Sequence, residues 1–344
     1  MDSLEIEIEG AVLENGDLWE DLRGARVFIT GGTGFYGSWL LETLIAANEK
    51  FSLGVRVTIL TRDENAFRLK CPHLAASSEI SFHKGDVRDF EFPKAGFTHI
   101  IHAATEASAK LNSENPALMR EVIVKGTRRA LEFAKKCGAS RFLLTSSGAV
   151  YGRQRPEVTH ISEDDEGLLS PVVSYSAYAE GKREAERLCQ EARGGQLKVS
   201  ITRGFAVAGP YLPLEIHFAI GNFIRDALRG SAIMIQGDGT PYRSYLYGLD
   251  LAIWLWTVLL RGQDGRAYNV GSENAVSILD LAHAVAKTIN PKIAVHLARS
   301  PEPGKIPERY VPLTRRAREE LGLKETVSLE ESIRRTAQWA QRAG

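Results

Sequence analysis

Tyr178 and Lys182 stand four residues apart in the stretch Tyr178-Ala179-Glu180-Gly181-Lys182. In a helix that spacing puts both side chains on one face. A phenol ordinarily titrates near ~10 and is a poor base at neutral pH. An ammonium held beside it stabilises the phenolate and brings that value down. The pair therefore offers a proton acceptor for a hydroxyl group or, run in reverse, a proton donor to a carbonyl. Upstream, the apolar run Phe142-Leu143-Leu144-Thr145-Ser146-Ser147 ends in hydroxyls. Ser147 there can donate a hydrogen bond to the reacting oxygen and orient it. A surface Tyr and Lys, or a turn serine, would carry the same letters, so the surrounding elements decide the reading.

The decisive neighbour is the run Thr30-Gly31-Gly32-Thr33-Gly34-Phe35-Tyr36-Gly37. It follows the β-branched, apolar segment Ala25-Arg26-Val27-Phe28-Ile29 and precedes the helical spacing of Ser38-Trp39-Leu40-Leu41. A buried parallel strand, a glycine turn and a helix N-terminus make a dinucleotide pyrophosphate site. In this reading Gly31 permits the tight turn, Gly34 lets the ligand approach the backbone, and Gly37 lets the helix pack on the strand. Were the dinucleotide an oxidised nicotinamide one, its ring would add a second positive charge near the phenol, and Tyr178 could then take a proton from a hydroxyl, such as a sugar's, while hydride leaves the same carbon.

Alternating segments position these groups. Strands are expected near residues 25–30, 55–61, 79–85, 98–102, 140–146 and 198–203, and helices near 35–48, 115–137 and 174–193. Such alternation implies an α/β fold, a doubly wound parallel (Rossmann) sheet with right-handed crossovers. Residues 1–23 read as an N-terminal extension with a short helix near 17–22. The dinucleotide-binding domain is expected over 24–203 plus about 247–271. A smaller, mixed C-terminal substrate-binding region takes 204–246 plus 272–344. It holds a helix near 220–228 and a strand and turn at Tyr268-Asn269-Val270-Gly271.

Composition narrows the class. Forty-three basic residues balance 43 acidic ones, which leaves no bulk positive field for nucleic acid. The three cysteines, Cys71, Cys137 and Cys189, have neither metal-site nor disulfide spacing and read as free thiols of a reducing cytoplasm. No metal is expected. The apolar run 251–260 is too short to span a bilayer and reads as a buried helix.

Together these motifs resemble the extended short-chain dehydrogenase/reductases, in the nucleotide-sugar epimerase/dehydratase group. The resemblance runs from about residue 24 to the C-terminus. It rests on the glycine turn, Gly85-Asp86-Val87-Arg88-Asp89, His102-Ala103-Ala104-Thr105, residues 146–152, the Tyr178/Lys182 pair, Gly209-Pro210, Gly237-Asp238-Gly239 with Arg243-Ser244-Tyr245, and Tyr268-Asn269-Val270-Gly271. It implies that Ser147, Tyr178 and Lys182 form a catalytic trio and that NAD(P) is the cofactor. Gly31, Gly34, Phe35, Tyr36 and Gly37 would then lie at the cofactor, with Arg62 at its ribose, Asp86 and Val87 at its adenine, Ala103, Ala104 and Thr105 along it, and Phe205 near the nicotinamide. Asn222 and Arg243 would contact a nucleotide-diphosphate sugar, Arg243 at the diphosphate. An ion pair of Arg243 with Asp238 or Asp250 is the alternative. Relatives pair two helices per subunit, which implies a homodimer through 115–137 and 174–193.

Departures from the resemblance narrow the reaction. Related 4,6-dehydratases carry an Asp-Glu pair directly after the catalytic hydroxyl residue, and related decarboxylases keep a Glu two places after it. Here Gly148 and Ala149 occupy those places, with no acid–base capacity. The expected activity is therefore epimerisation or keto reduction at a sugar carbon, C4 by resemblance. Ile123 and Ala206 stand where relatives often have Asn, so other residues must contact the sugar, with His217 and Phe218 as candidates. At the second strand's tip, Thr61-Arg62-Asp63 leans towards NADP through Arg62, while Asp63 keeps NAD open. A non-catalytic sensor of nucleotide or redox state on the same fold is the competing reading.

Overall fold

The computed structural model describes residues 3–105, 109–165, 176–216 and 218–343. Its elements run α1 (Ser3–Glu14), α2 (Gly16–Glu20), β1 (Arg26–Thr30), α3 (Phe35–Phe51), β2 (Arg56–Thr61), α4 (Glu64–Lys70), α5 (Pro72–Ala76), β3 (Ile80–Lys84), β4 (His99–His102), α6 (Ala109–Glu114), α7 (Pro116–Cys137), β5 (Arg141–Ser147), a 3₁₀ turn (Gly148–Tyr151), α8 (Ala177–Ala192) and β6 (Lys198–Gly204). There follow β7 (Val207–Ala208), α9 (Ala219–Leu228), β8 (Ile233–Ile235), β9 (Tyr242–Arg243), β10 (Leu246–Tyr247), α10 (Gly248–Arg261), β11 (Ala267–Val270), β12 (Val276–Ser277), α11 (Ile278–Ile289), β13 (Val295–Leu297), β14 (Arg309–Tyr310), α12 (Arg315–Leu321) and α13 (Leu329–Ala343). Two compact units form: Met1–Val150, Tyr175–Arg203 and Ala252–Tyr268 in the first; Tyr151–Ser174, Gly204–Leu251 and Asn269–Gly344 in the second.

A seven-stranded sheet of order β11-β6-β5-β4-β1-β2-β3 underlies the first unit. The order reverses beside β1, between β1 and β4, as in doubly wound nucleotide-binding sheets. Strand residues are apolar on both faces because helices cover both. On one face Phe28, Ile100, Phe142, Val199 and Ile201 pack with Met119, Ile123, Phe133 and Leu188 of α7 and α8. Trp19, Trp39 and Trp256, from α2, α3 and α10, are fully buried elsewhere in the unit. Trp256 Nε1 donates to Thr43 Oγ1 at 3.1 Å, and its ring meets Trp19 edge-on.

The N-terminal residues are more than an appendage. Ile8, Val12, Leu18, Trp19 and Leu22 are buried, and Trp19 Nε1 is satisfied by the Val12 carbonyl at 3.1 Å. The acidic composition of this stretch hides the few apolar positions that anchor it.

Local chemistry sets the element ends. α7 opens on Asn115, whose side chain accepts from the Leu118 N–H, with Pro116 at its first position, and closes on Gly138 at φ 76°. α8 opens on Ser176, whose hydroxyl accepts from the Ala179 N–H at 3.2 Å. That cap fixes Tyr178 in the first turn. α10 contains the run 251–260 and is buried along it, as expected. Among the described residues, no helix is long and apolar enough to cross a membrane.

The second unit is mixed. It contains α9 and α11–α13, a three-stranded sheet of order β12-β9-β14, and the two-stranded pairs β10-β7 and β13-β8.

Candidate active site

β5 and α8 bring the three chemical groups together. The Ser147 hydroxyl sits beside the Tyr178 phenol and favours its ionised form. Lys182 is buried and donates from Nζ to Thr105 Oγ1 at 2.7 Å and to the Thr145 carbonyl at 2.8 Å. Its ammonium lies 5.8 Å from the Tyr178 ring centroid. The Tyr178 N–H donates to Asn112 Oδ1 at 3.0 Å, so α6 steadies the first turn of α8. Nothing in the local pattern around Asn112 signals this role.

The electrostatics differ from the sequence expectation in one respect. Burial raises the Tyr178 phenol above its ordinary value, and the neighbouring Ser147 hydroxyl acts in the opposite direction. The chain's own groups thus leave the phenol protonated at neutral pH, the form that donates to a carbonyl. Lys182 is pushed down to about 8 by burial, opposed by the negative charge of Glu186.

The glycine turn shows a cradle for a ligand. Gly31 has φ 75°, and a Cβ there would lie 2.5 Å from the Ala103 carbonyl carbon. A Cβ on Gly37 would lie 2.2 Å from the Gly32 oxygen. Both glycines are needed by the fold itself. Gly34 is not: its φ is −87°, and a Cβ would meet only the Gly31 oxygen at 3.5 Å. It is exposed at the N-terminus of α3, beside the half-buried rings of Phe35 and Tyr36. A bare backbone at a helix N-terminus, with no internal packing reason for glycine, fits a pyrophosphate. Gly31→Ala should therefore lower folding stability by about 2–4 kcal/mol. Gly34→Ala should fold with a nearly unchanged melting temperature yet weaken NAD(P) binding about tenfold or more. Calorimetric titration beside thermal melts separates the two, and equal damage to stability would remove the ligand argument from Gly34.

Other expected cofactor positions fall around the strand tips of the first unit. Ala103 and Ala104 follow β4, their N–H groups held by the Thr30 carbonyl at 3.0 Å and Thr30 Oγ1 at 3.2 Å. Asp86 is forked by Arg88, Nε to Oδ1 at 2.8 Å and Nη2 to Oδ2 at 3.1 Å. That pairing, with a smaller contribution from Arg62, holds its carboxyl below the usual range. Val87, in the loop after β3, packs against α7, where a Cβ on Gly126 would approach it to 3.1 Å. Arg62 is exposed. One oxygen of the exposed Asp63 carboxylate caps α4, accepting from the Ala66 N–H at 3.0 Å.

The second unit gathers another set. Phe205 is buried, its ring centroid 4.6 Å from Tyr310 and 6.4 Å from Tyr151. Arg243 is half-buried, donates to the Tyr242 carbonyl at 2.8 Å and lies 5.9 Å from the Tyr310 ring. Neither proposed carboxylate partner takes it, since Asp238 accepts from Thr240 and Asp250 from Thr326 and Val327. Parallel pairing of β9 with β14 sets Tyr310 opposite Arg243 and Arg309 opposite Tyr242. Arg309, 4.2 Å from the Tyr242 ring, is a second guanidinium the sequence reading passes over. Asn222 Oδ1 accepts from Arg225 Nη1 at 3.2 Å. Phe218 is exposed, and His217 lies outside the described residues.

The sequence profile described as the NAD dependent epimerase/dehydratase family matches residues 27–271. The chain belongs to that family. Among the family's enzymes, UDP-glucuronic acid decarboxylase 2 of Arabidopsis thaliana is 32% identical over 314 residues, covering 90% of this chain and 67% of the relative. UDP-glucuronic acid decarboxylase 5 of the same plant is 31% identical over 309 residues, covering 90% and 87%. The structure of epimerase Mth375 from Methanothermobacter thermautotrophicus superposes with a TM-score of 0.80 at 25% identity over 95% of both chains. That of the Thermus thermophilus UDP-glucose 4-epimerase in complex with NAD does so at 0.75 and 25% identity, over 93% of this chain and 100% of that one.

Ile123, where the resemblance leads one to expect Asn, is buried between α7 and α8, where a Cβ on Gly181 would lie 3.0 Å from its Cδ1. Its side chain packs the two helices together.

Proposed function

We propose that the chain is an NAD(P)-dependent nucleotide-sugar epimerase or keto-reductase acting at C4 of the sugar. The observation that carries this is the gathering of Ser147, Tyr178 and Lys182 at the end of β5 and the start of α8. When bound, the nicotinamide takes and returns the hydride. The chain's own part is the proton. Tyr178 Oη gives a proton to the C4 carbonyl oxygen or takes one from the C4 hydroxyl, Ser147 Oγ orients that oxygen, and Lys182 supplies the positive charge that steadies the phenolate. Arg243 and Arg309 anchor the nucleotide diphosphate by their planar forks. Arg62, exposed just after β2, favours NADP, and Asp63 beside it spends one carboxylate oxygen on a helix cap.

One observation favours a second reading: the decarboxylases at 30–32% identity act on UDP-glucuronic acid by name. Against it stand Gly148 and Ala149, which carry no side-chain acid or base after Ser147. The two readings separate on incubation with UDP-glucose, UDP-glucuronic acid and a panel of dTDP-sugars under NAD, NADH, NADP or NADPH. Epimerised or reduced sugars without gas release are expected, with the NADP forms preferred. Release of carbon dioxide and a pentose product from UDP-glucuronic acid would establish decarboxylation instead. Tight cofactor binding with no turnover of any sugar would leave the sensor.

The homodimer stands on the resemblance. The outward residues of α7 and α8 include Arg120, Lys125, Arg128, Glu180, Arg187 and Glu191, charged rather than apolar. Self-association through them requires matched charges and should weaken with salt. Light scattering should give twice the chain mass of 37.9 kDa at low salt, and the single-chain mass there excludes the dimer.

A further inference from the structure

Glu186 has no part in the reading above, yet it occupies a central place behind the proton-transfer groups. It follows Lys182 by four residues and Tyr178 by eight, so all three fall on one face of α8. Each lies against one of three consecutive residues at the tip of β5. Lys182 Nζ donates to the Thr145 carbonyl at 2.8 Å, Ser146 Oγ donates to Glu186 Oε1 at 2.6 Å, and Ser147 neighbours Tyr178. A second strand joins through Arg203 of β6. Its Nε donates to Glu186 Oε1 at 3.1 Å and its Nη2 to Oε2 at 2.8 Å. The two side chains are only 17% and 12% exposed, so this is a largely desolvated fork and not a solvated surface pair.

We propose that Glu186 is a positioning residue for the hydride-transfer chemistry, clamping α8 to the tips of β5 and β6 and keeping the Lys182 ammonium charged beside the phenol. This rests on the epimerase or reductase reading. Burial pulls Lys182 towards its neutral form, and the charge of Glu186 is the largest influence opposing that. The other titratable or charged groups around Lys182 are Tyr178 and Cys189 on α8, His102 on β4, and Arg203 reached through Glu186. Cys189 is held as a neutral thiol by burial, and burial likewise keeps His102 uncharged. Glu186 is therefore the counter-charge that can hold a proton on Lys182.

The test uses the full-length protein with ¹³C/¹⁵N-labelled lysine. The Lys182 signal is assigned by its loss in Lys182→Arg, and its titration is followed by NMR. In Glu186→Gln, which preserves shape and an acceptor for Ser146, the Lys182 midpoint should fall by about one pH unit, a tenfold change in its protonation ratio. Glu186→Asp keeps the charge and should stay within about 0.3 units of the wild type. Because Glu186→Gln leaves a buried guanidinium alone, Glu186→Gln/Arg203→Gln is measured beside it and should also titrate low. Where a nucleotide sugar is turned over, the alkaline limb of kcat should move down with the Lys182 midpoint. A midpoint unchanged from wild type in both the single and the double variant overturns the proposal. If the wild type turns over no nucleotide sugar, the enzymatic reading fails, while the lysine titration still decides the place of Glu186.

Discussion

Tyr178→Phe should lower kcat by about 10²–10⁴-fold while leaving NAD(P) affinity and melting temperature close to wild type. The ring stays, and with it the packing of Tyr178 against the α7–α8 core. Only Oη, beside Ser147, goes. Because burial holds the phenol protonated, the loss should be felt at least as strongly in ketone reduction, where Tyr178 is the donor, as in alcohol oxidation. Ser147→Ala should cost less, since the phenol keeps its proton and only the orienting bond is lost. The ordering is checked with single-turnover kinetics at saturating cofactor. Turnover of Tyr178→Phe within tenfold of wild type removes the tyrosine as proton carrier, whatever the sugar.

Lys182 adds a pH signature to the same chemistry. Its ammonium is lost as pH rises through about 8, so the rate should decline above that value and hold below it. A lysine in water would place the decline some two units higher.

The parts of this molecule legible in its sequence are those written in short-range rules. β1, the glycine turn and α3 announce themselves by a β-branched run, closely spaced glycines and helical spacing, and the structure places them at Arg26–Thr30 and Phe35–Phe51. α7 carries its own start and stop signals in Asn115, Pro116 and Gly138. What escaped reading depends on distant partners. Glu186 resembles any charged residue on a helix until Ser146 and Arg203 are brought to it by the β5–β6 pairing of the sheet. Ile123 gains meaning only beside Gly181, 58 positions later in the chain, where two helices touch. The two-residue strands β9, β12 and β14 are too short to show a period, so the Arg243–Tyr310 and Arg309–Tyr242 pairings had no local signal. Asp63 carries a second signal: an acidic residue just before a helical run is a helix cap in its own right, and one of its oxygens caps α4.

Acid should unfold this protein from within, beginning at His102. Parallel pairing of β1 with β4 sets His102 opposite Thr30. Its Nδ1 accepts from Thr30 Oγ1 at 2.7 Å, and its Nε2–H donates to Thr127 Oγ1 at 3.1 Å. The direction follows from the ends of the chain of bonds. Thr127 spends its own proton on the Ile123 carbonyl at 2.7 Å, and Thr30 Oγ1 receives the Ala104 N–H at 3.2 Å. A second proton on the imidazole would meet the Thr30 hydroxyl proton already aimed at Nδ1. Burial, helped by the Lys182 charge, pushes His102 down to about 3. The unfolded chain takes up that proton near 6.5, so the stabilisation is complete above that pH and is lost as pH falls from about 6.5 towards 3. At about 1.4 kcal/mol per pH unit, the loss reaches about 3 kcal/mol at pH 4.5, a large share of a typical domain's stability. His99, pushed down to about 4 by burial, acts in the same direction. His102→Gln should be less stable than wild type at pH 7.5 but lose stability less steeply on acidification, as read by urea denaturation from pH 4.5 to 8. Parallel curves for the two proteins would place the acid sensitivity elsewhere. Since the same Thr30 hydroxyl holds Ala104 against the glycine turn, protonation should also loosen the loop after β4, and cofactor affinity should decline over the same pH range before global unfolding.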